Sequence, residues 1–254
     1  MKTLIISPHL DDALFSLSAL LQGHIVIATV FTQENPVKTF KGVYAAYADM
    51  QTRKKEDVAA FNFLTRKKKN VKVDYLHLDF PDKLFRKNDG IVLEPLREEL
   101  RELYNQNFDK IYCPLGVGGH PDHLLVFEMC HAVFGSRAAY YCEYPYSGLK
   151  LNRVKRFNEL GLKHDFRLKW QDFIDYYCHP IYASTPGIVR LYRMCHWPFG
   201  KRENTFQMIT YETDAVFKGK LVSHYQTQIA PIFGSTEHLE KELQKNKIES
   251  VIFF

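Results

Sequence analysis

Short apolar runs and longer amphipathic stretches alternate along the first 145 residues. The runs cover Thr3–Ser7, Ile25–Phe31, Val71–Leu78, Lys110–Cys113 and Ala138–Cys142, and each has the length and apolar content of a buried strand. Between them, apolar residues recur at helical spacing, which predicts helices at about Asp12–Gln22, Tyr47–Thr65, Leu93–Asn105 and Pro121–Phe134. Strands that alternate with helices of this length predict an α/β fold, with a mainly parallel sheet covered by helices on both faces.

The pattern changes after Cys142. Residues 140–206 are rich in aromatic side chains interrupted by prolines, and two compatible interpretations fit: a cap of loops on the sheet edge, or a rim whose rings stack on a substrate. A strand near Thr205–Tyr211, helices near Asp214–Gln228 and Glu237–Lys247, and a last strand at 251–254 follow. We therefore expect one α/β domain over residues 1–254, with a core at 1–146, an aromatic-rich C-terminal cap at 147–206 and completing elements at 207–254.

Composition narrows the class of protein. Hydrophobic residues make up 46% and charged residues 25% of the chain, as in soluble globular proteins, and no apolar run reaches membrane-helix length. The five cysteines are widely spaced and form no CxxC pair, which predicts reduced thiols and a cytoplasmic protein. The net charge of +5 is too small to predict nucleic-acid binding. We expect a small-molecule partner, no nucleic acid and no membrane span; the pattern leaves the oligomeric state open.

The strongest chemical signal is the first turn, Ser7-Pro8-His9-Leu10-Asp11-Asp12, which directly follows the first predicted strand. Ligands of open α/β sheets bind at the carboxyl ends of the strands, so polar side chains are expected there. His9 and Asp12 could approach one metal ion, which would leave Asp11 to act on a water molecule. The structural alternative is that one of the aspartates caps the following helix, but this does not explain the histidine.

A second turn of the same kind follows the strand Lys110–Cys113. It reads Gly118-Gly119-His120-Pro121-Asp122-His123, with a proline suited to the first position of a helix. The two histidines could supply one metal ligand and one acid–base group. Together with the His–Asp pair of the first turn, one of them would complete three ligands and leave a position for water, as in catalytic zinc sites. Iron(II) also suits two histidines and one carboxylate.

These two turns resemble the motifs of the PIG-L/LmbE-like family of zinc-dependent de-N-acetylases. The leading family motif, (A/P)HPDD, stands here as PHLDD at 8–12, and the second, HPDH, is intact at 120–123. Weaker similarities lie at Arg53 and Glu56, at LDFPD (78–82), and at Lys218 with YQTQ (225–228).

The resemblance implies a Rossmann-like fold and a metal-dependent enzyme with zinc as cofactor. Its expected reaction is hydrolysis of the N-acetyl amide of an amino sugar or sugar conjugate. Carried over by position, His9, Asp12 and His123 match the metal ligands of the family.

The resemblance also implies catalytic roles. Asp11 matches the general base, His120 the charged acid or oxyanion stabiliser, and Asp122 a residue that orients His120. Some members carry a tyrosine two residues before the second motif, which helps to hold the oxyanion. Gly118 stands at that position here, so Tyr144 and Tyr225 become the candidates for that donor.

Two other functions remain open at the level of the sequence. The divergent aromatic segment, Tyr140–Phe206, favours a non-sugar N-acyl substrate such as an antibiotic-like scaffold, because rims determine specificity. A catalytically silent ligand-binding protein is the other alternative, although the chain keeps every polar position of both motifs. We predict that a tyrosine of this segment or Trp197 lines the mouth of the metal site.

Overall fold

The computed structural model describes residues 1–34, 40–196 and 203–254. Seven strands form one sheet: β1 (Lys2–Ser7), β2 (Gly23–Thr29), β3 (Val71–His77), β4 (Lys110–Pro114), β5 (Ala138–Tyr141), β6 (Gln207–Glu212) and β7 (Ile248–Phe253). The described helices are α1 (Asp12–Ser16), α2 (Val43–Ala48), α3 (Met50–Lys67), α4 (Gly90–Tyr104), α5 (Pro121–Phe134), α6 (Lys150–Glu159), α7 (Trp170–Cys178), α8 (Gly187–Cys195), α9 (Ala215–Val222), α10 (Gln226–Phe233) and α11 (Thr236–Lys245). None of the described helices is both long enough and apolar enough to cross a membrane.

The strand order is β3-β2-β1-β4-β5-β7-β6. The first five strands in this order run parallel, and β7 pairs antiparallel with both β5 and β6. The predicted mainly parallel α/β sheet is therefore confirmed. Strand order reverses between β1 and β4, so the turns that follow these two strands lie side by side at the sheet edge where α/β proteins bind ligands.

Residues of β1 point alternately to two hydrophobic cores, one on each face of the sheet. Leu4 and Ile6 pack in the core that also contains Val92 and Leu96 of α4. Ile5 packs in the other core, with Ile229 of α10. Both faces of the sheet are therefore covered, which explains why the early strands are continuous apolar runs. The same burial makes β1 and β4 a rigid base for the turns that follow them.

The aromatic cap is not a set of loops. It contains three helices, α6, α7 and α8, and its Trp197 lies outside the described residues. All three helices have apolar residues at helical spacing, most clearly α8, although no side chain of α8 is buried. Pro180 and Pro186, which looked like loop signals, stand in the turn before α8 and at its start.

Two predicted helices are shorter than expected. The first ends at Ser16, because the backbone N–H of Ser18 donates to the Glu249 carboxylate at 3.0 Å instead of continuing the helix. The helix predicted at Asp214–Gln228 is divided into α9 and α10. The break falls at Tyr225, which buries its ring in the core and donates its hydroxyl to Asp57 at 2.6 Å.

Candidate active site

The turn after β1 is fixed by hydrogen bonds among its own residues. The Ser7 hydroxyl donates to the carbonyl oxygen of His9 at 2.6 Å and accepts from the backbone N–H of Ala13 at 3.1 Å. The backbone N–H of His9 donates to Oδ2 of Asp12 at 2.9 Å. This short local network brings the imidazole of His9 and the carboxylate of Asp12 to the same side of the turn.

The turn after β4 is held from the neighbouring strand. The Glu143 carboxylate, just beyond β5, accepts from the backbone N–H groups of Gly116 at 2.6 Å and Val117 at 3.1 Å. His120 then occupies the N-cap of α5, and its Nδ1 accepts from the backbone N–H of Asp122 at 3.3 Å. The first turn of α5 thereby places His123 opposite His9.

Three ligand atoms from the two turns converge on one point. Oδ2 of Asp12 lies 3.4 Å from Nδ1 of His9 and 3.3 Å from Nε2 of His123, and these two nitrogens are 3.3 Å apart. In a tetrahedral site with bonds of 2.0–2.2 Å, ligand atoms are separated by about 3.3–3.6 Å. The three residues are buried, so they fit a divalent metal ion in both donor type and spacing.

The far nitrogens of both histidines face carboxylates. Nε2 of His9 donates to Oδ2 of Asp122 at 3.1 Å and lies 3.2 Å from Oδ2 of Asp82, while Nδ1 of His123 donates to Oε1 of Glu143 at 3.3 Å. With the protons held there, the lone pairs of the near nitrogens point at each other, an arrangement that requires a cation between them. Carboxylates placed behind histidines in this way are typical of metal sites.

Protons and a metal ion compete for these lone pairs. Burial lowers the pKa of His9, but hydrogen bonds with Asp12, Asp122 and Asp82 outweigh it and raise this pKa well above its ordinary value. Burial also lowers the pKa of His123, and Asp12 and Glu143 raise it to about 9. In the metal-free site, His9 and His123 are therefore protonated, and their positive charge lies where the three ligands converge.

Asp11 lies beside the ligands and has a different partner. Its Oδ1 accepts from Nη2 of Arg53 on α3 at 3.1 Å, and its side chain makes no capping hydrogen bond to α1. Burial raises the pKa of Asp11, and the negative charge of Asp12 raises it further against the effect of Arg53. The structure thus gives no support to the helix-cap interpretation of Asp11.

Two expectations about the second turn need correction. Burial, followed by the charges of His123 and His9, lowers the pKa of His120 to about 3, so its resting form is neutral rather than charged. The Asp122 carboxylate does not orient His120: it accepts from His9, accepts from the backbone N–H of Lys83 at 3.2 Å and pairs with the guanidinium of Arg86. Asp122 contacts His120 through its backbone N–H, and its carboxylate orients His9.

A second donor set, His9, His120 and Asp122, is also close enough to bind an ion. Its carboxylate is already paired with Arg86, whose side chain is fully buried. A cation there would meet the guanidinium charge, which favours the set of His9, Asp12 and His123.

The ligands open into a cavity of about 260 Å³. Tyr144 and Tyr146 line it, which confirms that tyrosines of the aromatic segment border these side chains. Pro145 stands between the two tyrosines, and the rest of the wall comes from distant elements: Tyr47, Arg53, Asp82, Leu84, Ile181, Ser184, Gln228 and Ile232.

Of Tyr144, Tyr146 and Tyr225, Tyr146 is the one close enough to both Asp11 and Asp12 for their charges to act on its hydroxyl. The buried hydroxyl of Tyr144 has no hydrogen-bond partner among the described residues and lies near Glu242, and that of Tyr225 donates to Asp57. The Tyr146 ring packs edge-on to His123 at 5.6 Å between centroids. Burial raises the pKa of Tyr146 well above its ordinary value, and the charges of Asp12 and Asp11 add to this, so its hydroxyl keeps its proton.

Tyr146 occupies the space that a side chain at position 118 would fill. A Cβ built on Gly118 would lie 2.4 Å from Cδ1 of Tyr146, and Gly118 has a φ of +89°. Tyr146, Asp82, Arg86 and Glu143 were not singled out individually from the sequence. Their common signal is position, since the residues around 82 and 143 follow β3 and β5 at the same sheet edge as the two motifs.

The sequence is similar to that of a characterised deacetylase. The chain is 27% identical over 170 residues to 2′-N-acetylparomamine deacetylase of Streptomyces fradiae, and the match covers 58% of each chain. It therefore spans less than two thirds of that relative.

Two solved structures share the fold across nearly the whole chain. The A40926 pseudoaglycone deacetylase has a TM-score of 0.65 at 17% identity, with 99% of this chain and 96% of that chain covered. The zinc-inhibited form of teicoplanin deacetylase has a TM-score of 0.65 at 16% identity, with 99% and 98% covered.

The sequence model of the PIG-L family, described as GlcNAc-PI de-N-acetylase, matches residues 4–134, just over half of the 254 residues. This segment contains both turns and all three residues of the ligand triangle. The chain therefore belongs to the PIG-L family of de-N-acetylases.

Proposed function

We propose that this protein is a metal-dependent N-deacetylase that removes the acetyl group from an amino sugar carried by an antibiotic-like conjugate. The observation that carries the proposal is the triangle of His9, Asp12 and His123 ligand atoms, 3.3–3.4 Å apart, with the Asp11 carboxylate beside it. Membership of a de-N-acetylase family and similarity to a deacetylase of an acetylated aminoglycoside support the reaction class.

His9, Asp12 and His123 would hold the ion, which we propose to be Zn²⁺, with Fe²⁺ as the alternative for the same donor set. When bound, such an ion lowers the pKa of a water molecule and polarises the amide carbonyl. Asp82, Asp122 and Glu143 keep the protons of both histidines on the nitrogens that face away from the ion.

Asp11 is the proposed general base. Arg53 holds its Oδ1, which leaves Oδ2 to take a proton from the water as the water oxygen bonds to the acyl carbon. The raised pKa of Asp11 makes it a better proton acceptor than an ordinary carboxylate. The same proton then passes to the leaving nitrogen as the C–N bond breaks, giving acetic acid and a free amine.

Tyr146 and neutral His120 are the proposed donors to the carbonyl oxygen as it gains negative charge. Nδ1 of His120 is occupied as an acceptor, so Nε2 carries the proton and can donate. The hydroxyl of Tyr146 stays protonated because of its raised pKa. Fixed donors of this kind act without reorganisation, because they are in place before the charge develops.

The cavity wall supports a ring-shaped substrate. Tyr47, Tyr144 and Tyr146 provide aromatic surface around a polar floor of His and Asp side chains, which suits stacking on a sugar ring while its polar groups meet the floor. The acetylated amine would enter at the ligand triangle.

The test measures amine release from a panel of N-acetylated compounds: N-acetylated aminoglycosides, N-acetylglucosamine conjugates, and non-sugar N-acyl amides. The zinc-loaded protein should hydrolyse the aminoglycoside group fastest, and chelation should abolish turnover. Preference for a non-sugar amide would replace the substrate class, and a metal-loaded protein inactive on the whole panel would contradict an enzymatic role.

A further inference from the structure

A second group of metal-ligating side chains lies behind the wall of the cavity. His179 stands in the turn between α7 and Pro180, while His238 and Glu242 are one helical turn apart on α11 and so face the same way. Nε2 of His179 lies 4.0 Å from Oε2 of Glu242, and Nε2 of His238 lies 3.9 Å from Oε1. One ligand atom from each of the three residues falls within 4.8 Å of the others.

Both imidazole nitrogens that face this carboxylate are buried, and neither has a hydrogen-bond partner in the described parts of the chain. His179 is 6% exposed. Buried polar atoms are almost always paired, and an ion is one reason for two of them to stand unpaired around one carboxylate. Glu242 is itself held in place, because its Oε2 accepts from Nδ2 of Asn246 at 2.9 Å.

We propose that His179, His238 and Glu242 form a second divalent-metal site, with the two-nitrogen, one-oxygen donor set that zinc-like ions accept. This inference does not depend on the proposed deacetylase function. The ligand atoms must approach by about 1 Å to reach bonding distances. Rotation of His238 allows this, because its side chain is 39% exposed at the surface of α11.

The ammonium of Lys245 disfavours positive charge at His179, and the carboxylate of Asp175 favours it. The nearby ammonium of Lys245 is paired with Asp175, 3.4 Å away, and Glu242 brings one full negative charge. Among the described residues, no lysine or arginine side chain contacts the Glu242 carboxylate directly. A bound ion would therefore supply the positive charge that this carboxylate lacks.

Ion binding would change the turn that carries His179. Nδ1 of this histidine accepts from the backbone N–H of Ile181 at 3.2 Å, so the ring proton stands on Nε2 when the ion is absent. Coordination through Nε2 moves that proton to Nδ1, which ends the hydrogen bond with Ile181. Ile181 lines the cavity, so the second ion would act on the cavity wall.

Equilibrium dialysis with Zn²⁺ alone, followed by elemental analysis, tests the proposal. The unaltered protein should bind two ions per chain. Glu242→Gln and His238→Ala should each weaken one of them by more than the ~10–100-fold that loss of an outer ligand partner costs. Glu240→Gln, an exposed change on the same helix, is the matched control and should keep both.

Asp12→Ala separates this site from the first one. The Asp12→Ala variant should lose the ion of the first site and keep that of the second, so Zn²⁺ should still raise its melting temperature. Adding Glu242→Gln to this variant should abolish that increase. If the unaltered protein, Glu242→Gln and His238→Ala bind zinc equally, the second site is wrong. If the unaltered protein binds one ion and only Asp12→Ala loses it, the second site is wrong and the first stands. If it binds one ion and only Glu242→Gln and His238→Ala lose it, the first site is wrong and the second stands.

Discussion

Asp11 and Asp12 are neighbours in the chain, yet their carboxylates are in opposite electrostatic states. Asp12 lies between two histidines, and although burial raises its pKa, His123 and His9 bring it far below the usual range. Asp11 meets one arginine and the charge of Asp12, and its pKa is raised. Two titratable groups whose environments separate their pKa values are suited to different roles, here ligand and base.

Asp11→Asn should keep the metal and the fold but lose about 10²–10⁴ in turnover, because asparagine has nearly the same shape and cannot accept a proton. Asp12→Ala should instead lose the metal. Elemental analysis and amine release on purified variants measure both effects. A metal-loaded Asp11→Asn variant with full activity would exclude Asp11 as the base.

Tyr146→Phe should lower kcat by about 10²–10³, the usual effect of removing an oxyanion donor, and change KM little. Tyr144→Phe is the control, because its hydroxyl lies towards Glu242 and its ring stays in the cavity wall. Steady-state kinetics on one substrate compare the two. Equal losses in both variants would mean that the hydroxyl of Tyr146 has no special role.

At the scale of elements, the fit between the loop after β4 and the segment after β5 determines the shape of the site. Gly118→Ala should destabilise the protein by ~1–3 kcal/mol, as overpacking does, and should also reduce turnover by displacing the Tyr146 ring. Gly119→Ala is a matched control: its φ is also positive, at +70°, but its added Cβ would meet nothing within 4 Å. Urea unfolding of both variants separates the effect of the clash with Tyr146 from the effect of a side chain at positive φ. If both variants lose the same free energy of unfolding, the clash with Tyr146 does not contribute.

The sequence predicted those parts of the site that depend on local pattern. His9 to Asp12 and His120 to His123 each follow an apolar strand, and parallel topology brings the ends of such strands together. Tyr146 and Glu143 could not be placed in the same way, since their roles depend on how a segment beyond β5 folds back over the β4 loop. The helices of the cap were missed although their apolar residues recur at helical spacing, because the nearby prolines Pro180 and Pro186 indicate loops when taken alone.

At the scale of the whole molecule, stability should depend on pH through the first metal site. The pKa of His123 is raised to about 9 from 6.5 in the unfolded chain. The resulting stabilisation is full below pH ~6.5 and is lost as pH rises towards 9. It amounts to on the order of 3 kcal/mol.

The metal-free protein should therefore melt at lower temperature as pH rises from 6.5 to 9. The melting-temperature increase caused by Zn²⁺ should grow over the same range, because protons leave the ligand atoms. Calorimetry with and without chelator measures both trends. A melting temperature of the metal-free protein that is constant across this range would contradict the charged state of His123.

The close packing of Tyr146 against Gly118 also restricts how this protein could have diverged from its relatives. A tyrosine at position 118 and a tyrosine at position 146 would occupy the same volume, so neither can be gained while the other is present. A mutational path between the two arrangements must pass through an intermediate with small residues at both positions, and with no aromatic hydroxyl at the site. Positions 118 and 146 should therefore covary across the family, with a bulky residue at one accompanied by a small residue at the other.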